Sequence, residues 1–300
     1  MGFHPKDANF VLAMFASSLL SGENCNNLDN RVTTVRGYVQ AAQDLMVMGG
    51  YAHPAGLPMD KEHSGDYKKF VARAKKLESM PQRREMISDE MLDIFLARKE
   101  TAKTNSLDDC FFDWLCMGRY TGFRSSEWAQ TRKTTFERIS RDNNAARAMI
   151  DEDFLFFDDW GRLIDKTAAN AKRVRRVDVC WRVQKNGQNG EIITYWRDDE
   201  DPRWCPVRAA WRICMRHRQR NLPSWMPLGV YIDHKQNRVF YMNVPEVERL
   251  LRTAAKEATG ITDDKLINKL FGMHTIRVTA CNELARLGVK DSFIQKRLRW

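Results

Sequence analysis

Tyr120-Thr121-Gly122-Phe123-Arg124-Ser125-Ser126-Glu127 is the stretch on which the fold turns. Upstream of it Phe111, Phe112 and Leu115 lie in a helical run, and Ser106, with Asp109 three residues on, is placed to cap that run. Gly122 stops the helix, because glycine enters the left-handed conformation without steric penalty. Arg124 then falls on the turn. A second stretch, His274-Thr275-Ile276-Arg277, opens another helical run that carries Ala280, Leu284 and Ala285 and stops at Gly288. A short helix with Ile294 and Leu298 follows Asp291, and the sequence finishes at Trp300.

Between these two stretches the periodicity changes. Val177, Val179, Trp181 and Val183 recur at every second residue, Asn186-Gly187-Gln188-Asn189-Gly190 turns the chain, and Ile193 and Tyr195 alternate again. A second hairpin is expected from Val230 to Met242, turning at His234-Lys235-Gln236-Asn237, before helices resume with Pro245 in a first turn and Gly260 as a stop. Before Arg124, Ser88 caps a helix through Met91, Leu92, Ile94 and Phe95. The N-terminal part is helical too, with Val32, Val35, Val39, Ala42 and Leu45 at helical spacing, a loop over Tyr51 to Asp66, and a basic helical segment from Tyr67. Met80-Pro81-Gln82-Arg83-Arg84 looks like an exposed linker, which divides the chain into residues 1–81 and 82–300. The class expected is mainly α with a small antiparallel β-sheet.

Lys plus Arg outnumber Asp plus Glu by 49 to 39, a net charge of +10 that favours a polyanionic partner, nucleic acid being the commonest. The hydrophobic fraction, 43%, is that of a soluble globular protein, no apolar run is long enough to span a bilayer, and a membrane partner is not expected. The seven cysteines (Cys25, Cys110, Cys116, Cys180, Cys205, Cys214 and Cys281) form no CxxC pair and no zinc-ligand spacing. They read as reduced thiols of an intracellular protein, and no metal or cofactor is expected. The acidic run Asp198-Asp199-Glu200-Asp201 reads as a solvated loop.

Thr121-Gly122-Phe123-Arg124-Ser125-Ser126-Glu127 and His274-Thr275-Ile276-Arg277, in that order, resemble the tyrosine recombinase family of phage integrases, Cre-like enzymes and recombinases of eukaryotic mobile elements. That family carries its first arginine in T-G-x-R-x-x-E. Its second box is H-x-x-R, then a helix, a glycine, and a His or Trp about seven helical turns on. The resemblance runs from Ser88 to Trp300 in element order. It implies a helical, SAM-like core-binding domain over 1–81 and a catalytic domain over 82–300, closing around double-stranded DNA in a tetrameric synapse without metal or ATP.

The resemblance implies roles. Arg124 and Arg277 would grip the non-bridging oxygens of the attacked phosphodiester, which two permanently charged forks do better than lysines. His274 would hold or pass a proton, Trp300 would add an indole N–H, and Glu127 would orient an arginine or the histidine. Lys185, at the hairpin turn, matches the lysine that protonates the leaving 5′ oxygen. The long gap from Arg124 implies an insertion, roughly Asn143 to Ala171, with Lys172 and Lys166 as fallback candidates. Lys172, Arg173, Arg175 and Arg176 form a basic run that is either DNA-facing or solvated. The Trp-Arg alternation at Trp181, Arg182, Trp196, Arg197 and Trp204 is either strand packing or backbone binding. The family's nucleophilic tyrosine comes a little over two helical turns after the Trp position, so the sequence is expected to be a fragment. Tyr120, Tyr195, Tyr231 and Tyr241 do not match that place. Rival readings are a recombinase-derived DNA-binding protein without catalysis, a type IB topoisomerase and a metal-dependent nuclease.

Overall fold

The computed structural model describes residues 5–21, 32–48, 70–75, 83–130, 148–184 and 189–299, and the chain divides into two compact units, residues 1–81 and 82–300. In the first unit lie α1 (Pro5–Ser21), α2 (Val32–Met48) and a short helical segment, α3 (70–75). Ala16, Val35 and Val39 form its buried seam, with Leu19, Leu20, Phe70 and Val71 packed against it. Leu45, expected on the same face, is 69% exposed. Six residues beyond Val39 it has turned about 120° off the buried stripe.

The second unit is mainly helical with small antiparallel sheets, the class expected. Its described elements are α4 (Asp89–Thr101), α5 (Leu107–Thr121), α6 (Ser125–Trp128), β1 (Phe154–Phe157), β2 (Arg176–Trp181), β3 (Glu191–Trp196), α7 (Pro206–Gln219), β4 (Val230–Asp233), β5 (Arg238–Tyr241), α8 (Val244–Thr259), α9 (Asp264–Leu270), α10 (His274–Arg286) and α11 (Asp291–Arg297). Strand β2 lies between β1 and β3, so Val177 faces Phe156 on one side and Tyr195 on the other. The stretch read as an insertion therefore holds the third strand of the main sheet. Its four residues, Phe154-Leu155-Phe156-Phe157, are too short a run to show alternation clearly.

Helix α5 is the axis of the core. Cys110, Phe111, Phe112, Trp114, Leu115, Cys116 and Met117 are all buried. A helix apolar on every side must be enclosed, and here α4, α7 and α10 all pack on it. Trp114 stacks on Trp128 at 5.5 Å between ring centroids and meets Phe123 at 5.4 Å, and Phe123 meets Trp181 of β2 at 5.7 Å. A carboxylate interrupts this core: Asp113, fully buried, accepts from Arg212 at 2.7 Å and Arg216 at 2.6 Å, both on α7. Removing one partner of such a buried pair leaves an uncompensated charge, so the network fixes how α7 docks on α5.

The cap of α5 differs from the expectation. The hydroxyl of Ser106 makes no cap bond, and the carboxylate of Asp109 accepts instead from the backbone N–H of Asn105 at 2.6 Å. Asp109 is drawn there because it also pairs with Lys99 and Arg216. Ser88 does cap α4, accepting from Met91. Among the described residues no helix is long and apolar enough to cross a membrane.

Candidate functional site

Two glycines let the arginine-bearing segments meet. At Gly118, a Cβ would lie 2.5 Å from Cγ2 of Ile276, so glycine there allows α10 to approach α5 closely. At Gly122, φ is +55° and a Cβ would lie 2.8 Å from Cδ2 of Leu298. The left-handed cap ends α5, and its small size admits the segment after α11. In consequence Arg277 reaches from α10 to donate to the Gly122 carbonyl and, at 3.0 Å, to that of Leu298.

Arg124 and Arg277, far apart in sequence, line one open cleft of about 750 Å3 together with His274, Ser125 and Ser126. Arg277 is 6% exposed, and burial, then the charges of Arg124 and Arg299, draws its pKa down to about 10. It stays cationic at neutral pH. Two guanidiniums that repel each other across a shared cleft give it a positive potential.

Glu127 is the keystone beneath them. Its Oε2 accepts from the Arg124 backbone N–H at 2.8 Å, and its Oε1 accepts from Nη1 of Arg124 at 3.3 Å. The same two oxygens take both forks of Arg299, at 3.0 and 3.1 Å. Glu127 thus holds arginines and not His274. Arg299 is a residue the sequence reading missed. It is 1% exposed, its guanidinium lies 4.0 Å from the centre of the Trp181 ring, and its carbonyl accepts from Nη2 of Arg124 at 2.6 Å. Nothing in a lone arginine beside Leu298 signals such burial; only the carboxylate of Glu127, 172 residues away in the chain, offsets its cost.

His274 keeps an exposed ring. What burial it has, then the charges of Arg277 and Arg84, lowers its pKa. The imidazole is therefore neutral near pH 7 and suited to accept a proton. Because the unfolded chain binds this proton more readily, His274 subtracts stability as pH falls below the ordinary imidazole value of about 6.5 and has no effect above it. By NMR, the His274 titration is expected below that value in free protein and to move upward when a duplex oligonucleotide is added. No movement on saturation would separate His274 from the bound phosphates.

Lys185 and Trp300 fall outside the described residues. Lys166 is engaged with the Asp151 carbonyl and, at 3.0 Å, its carboxylate. Lys172 is exposed, and Arg173, Arg175 and Arg176 pair with Asp158, Asp159 and Asp178 respectively; none of the four lines the cleft. Asp199, in the acidic run read as a solvated loop, is exposed and pairs at the surface with Arg175, Arg197 and Arg208. Of the Trp-Arg alternation, Trp181 and Trp204 are packed inside, and Arg182 pairs with Asp153 at 3.1 Å, while Trp196 is 64% exposed.

No protein-family model and no curated protein matches the chain. Among solved structures it is similar to the Tn1549 transposon integrase in complex with circular intermediate DNA, at 12% identity and a TM-score of 0.47, covering 97% of this chain and 77% of that one. A point variant of that integrase, in complex with transposon right end DNA, aligns at 12% identity and a TM-score of 0.40, covering 99% and 85%.

Proposed function

We propose that the chain belongs to a tyrosine recombinase, a DNA strand-transferase that carries out site-specific recombination (integration, excision or transposition) through a 3′-phosphotyrosine intermediate. The observation that supports it is the meeting of Arg124, Arg277 and His274 in one cleft. In this reading the two guanidiniums hold the non-bridging oxygens of one DNA phosphate and stabilise the charge that builds there during attack. A tyrosine oxygen bonds to phosphorus and gives its proton to neutral His274. The bond from phosphorus to the 5′ oxygen breaks, and that oxygen takes a proton from Lys185. The new ester keeps the energy of the old one, so rejoining needs no ATP.

The indole of Trp300 adds a donor to the clamp, and Glu127 orients Arg124. None of Tyr120, Tyr195, Tyr231 and Tyr241 lines the cleft. Burial pushes the hydroxyls of Tyr120 and Tyr195 up to about 12, and that of Tyr231 donates to Glu246. The family spacing puts the nucleophile past Trp300. The reading carries with it double-stranded DNA as partner, a synapse of four subunits, and action wherever the DNA resides, in nucleus or nucleoid.

The test is covalent trapping. Full-length protein mixed with nicked suicide duplexes drawn from the flanks of its own gene is expected to give an SDS-resistant protein–DNA adduct, unaffected by EDTA. Tight binding without an adduct would overturn this reading in favour of a non-catalytic DNA-binding protein, and EDTA-sensitive cutting would favour a metal-dependent nuclease.

A further inference from the structure

The cleft has a third arginine. Arg84, read from sequence as part of an exposed linker, is only partly exposed and lines the same cavity as Arg124, His274 and Arg277. Its Nη1 donates to the carbonyls of Asn268, of Lys269 at 2.9 Å and of Phe271 at 3.2 Å, at the end of α9. A cation suits these carbonyls, which a helix end leaves unpaired. A Cβ at Gly272 would lie 2.9 Å from Oε1 of Glu248 and 3.4 Å from Cζ and Nη1 of Arg84, so this wall of the cleft is closely packed around the glycine.

Every one of those bonds uses Nη1. Nε and Nη2, which together form the side-on fork of a guanidinium, have no protein partner among the described residues. That fork matches two oxygens of one phosphate. The acidic residue of the cleft wall, Glu248, does not compete for it. Its Oε2 pairs with Arg252 at 2.7 Å, and its Oε1 accepts from the Met273 N–H at 3.3 Å. The cavity, about 750 Å3, also far exceeds what one phosphate group needs, given about 30 Å3 for a water molecule.

We propose that Arg84 forms a second phosphate subsite, which holds a phosphate neighbouring the attacked one on the same DNA strand and so sets the strand's register in the cleft. The proposal rests on the recombinase reading and adds to it a residue that lies outside both of its motifs. The subsite acts through one charge-assisted fork, with Nη1 fixing the guanidinium in advance of binding.

Duplex binding by full-length protein, titrated over about 50–200 mM salt, tests it. Arg84→Gln is expected to weaken affinity about tenfold and to reduce the slope of log affinity against log salt by about 0.9. Arg84→Lys, which keeps a donor for the α9 carbonyls, should fold even if the glutamine variant does not. It is expected to retain the slope but lose part of the affinity. A wild-type slope and affinity in Arg84→Gln, or a loss of thermal stability with the slope unchanged, would show Arg84 to be only a helix cap. If Arg124→Lys and Arg277→Lys likewise leave strand cleavage intact, the recombinase reading itself falls. If those two abolish cleavage while Arg84→Gln binds as wild type, the second subsite alone is wrong.

Discussion

Under the proposed recombinase function, exchanging Arg277 for lysine should slow strand cleavage about 10²–10³-fold, the loss typical when one donor to a developing oxyanion is removed. The conservative change is severe here because of where the side chain sits. Arg277 is 6% exposed, donates to the carbonyls of Gly122 and Leu298, and is already drawn down to about 10 by burial and by the charges of Arg124 and Arg299. A lysine in that place starts from a lower pKa, is desolvated as a compact charge, and is driven toward neutrality. It also cannot brace two carbonyls and a phosphate at once, since it has no planar fork. Duplex affinity should fall by about tenfold or less, because the change forfeits at most one of the positive charges on which backbone binding depends. Single-turnover cleavage of a nicked duplex measures the first effect and equilibrium binding the second. A rate within about threefold of wild type would remove Arg277 from the chemistry.

Glu127→Ala is expected to be the most destabilising single change in the cleft, by about 3–5 kcal/mol. The Arg299 side chain is 0% exposed and its two terminal nitrogens both donate to Glu127. Removing the carboxylate strands that charge under the Trp181 ring and also frees the backbone N–H of Arg124. Thermal unfolding should drop by about 10 °C, given a few degrees per kcal/mol for a unit of this size. The double variant Glu127→Ala, Arg299→Leu should be less damaged than Glu127→Ala alone, because it leaves no buried charge to strand. A single variant that unfolds within about a degree of wild type would mean that Arg299 reaches solvent, and that Arg124 is held by something else.

The two predictions rest on different kinds of legibility. The alternation from Val177 to Val183, the turn after it and the stop at Gly122 are local signals, and β2, β3 and the end of α5 stand where they point. Strand β1, four residues long, carries too little periodicity to signal itself, whereas Pro206 and Asp263 mark the starts of α7 and α9. Ser106 illustrates the opposite failure. Its cap motif is present, yet Asp109 is pulled away by Lys99 and Arg216, partners that only the fold brings near. In the basic run at Lys172 to Arg176, Arg173 and Arg175 pair with Asp158 and Asp159 on a segment that the run itself does not announce, whereas Arg176 pairs with Asp178 two residues along its own strand.

By itself the sequence determined the helical and strand periods, the breaks between them, and the residue types that chemistry at a phosphate calls for. These depend on neighbours a few positions apart, where backbone sterics and side-chain spacing act directly. Only the tertiary structure decided that Arg124 and Arg277 share a cleft, that Glu127 is divided between Arg124 and a buried Arg299, and that Arg84 leaves the linker to join them. Each of those outcomes depends on charges from distant segments meeting at low dielectric. There, the cost of an unpaired group is large and the identity of its partner is written in no single stretch of the chain.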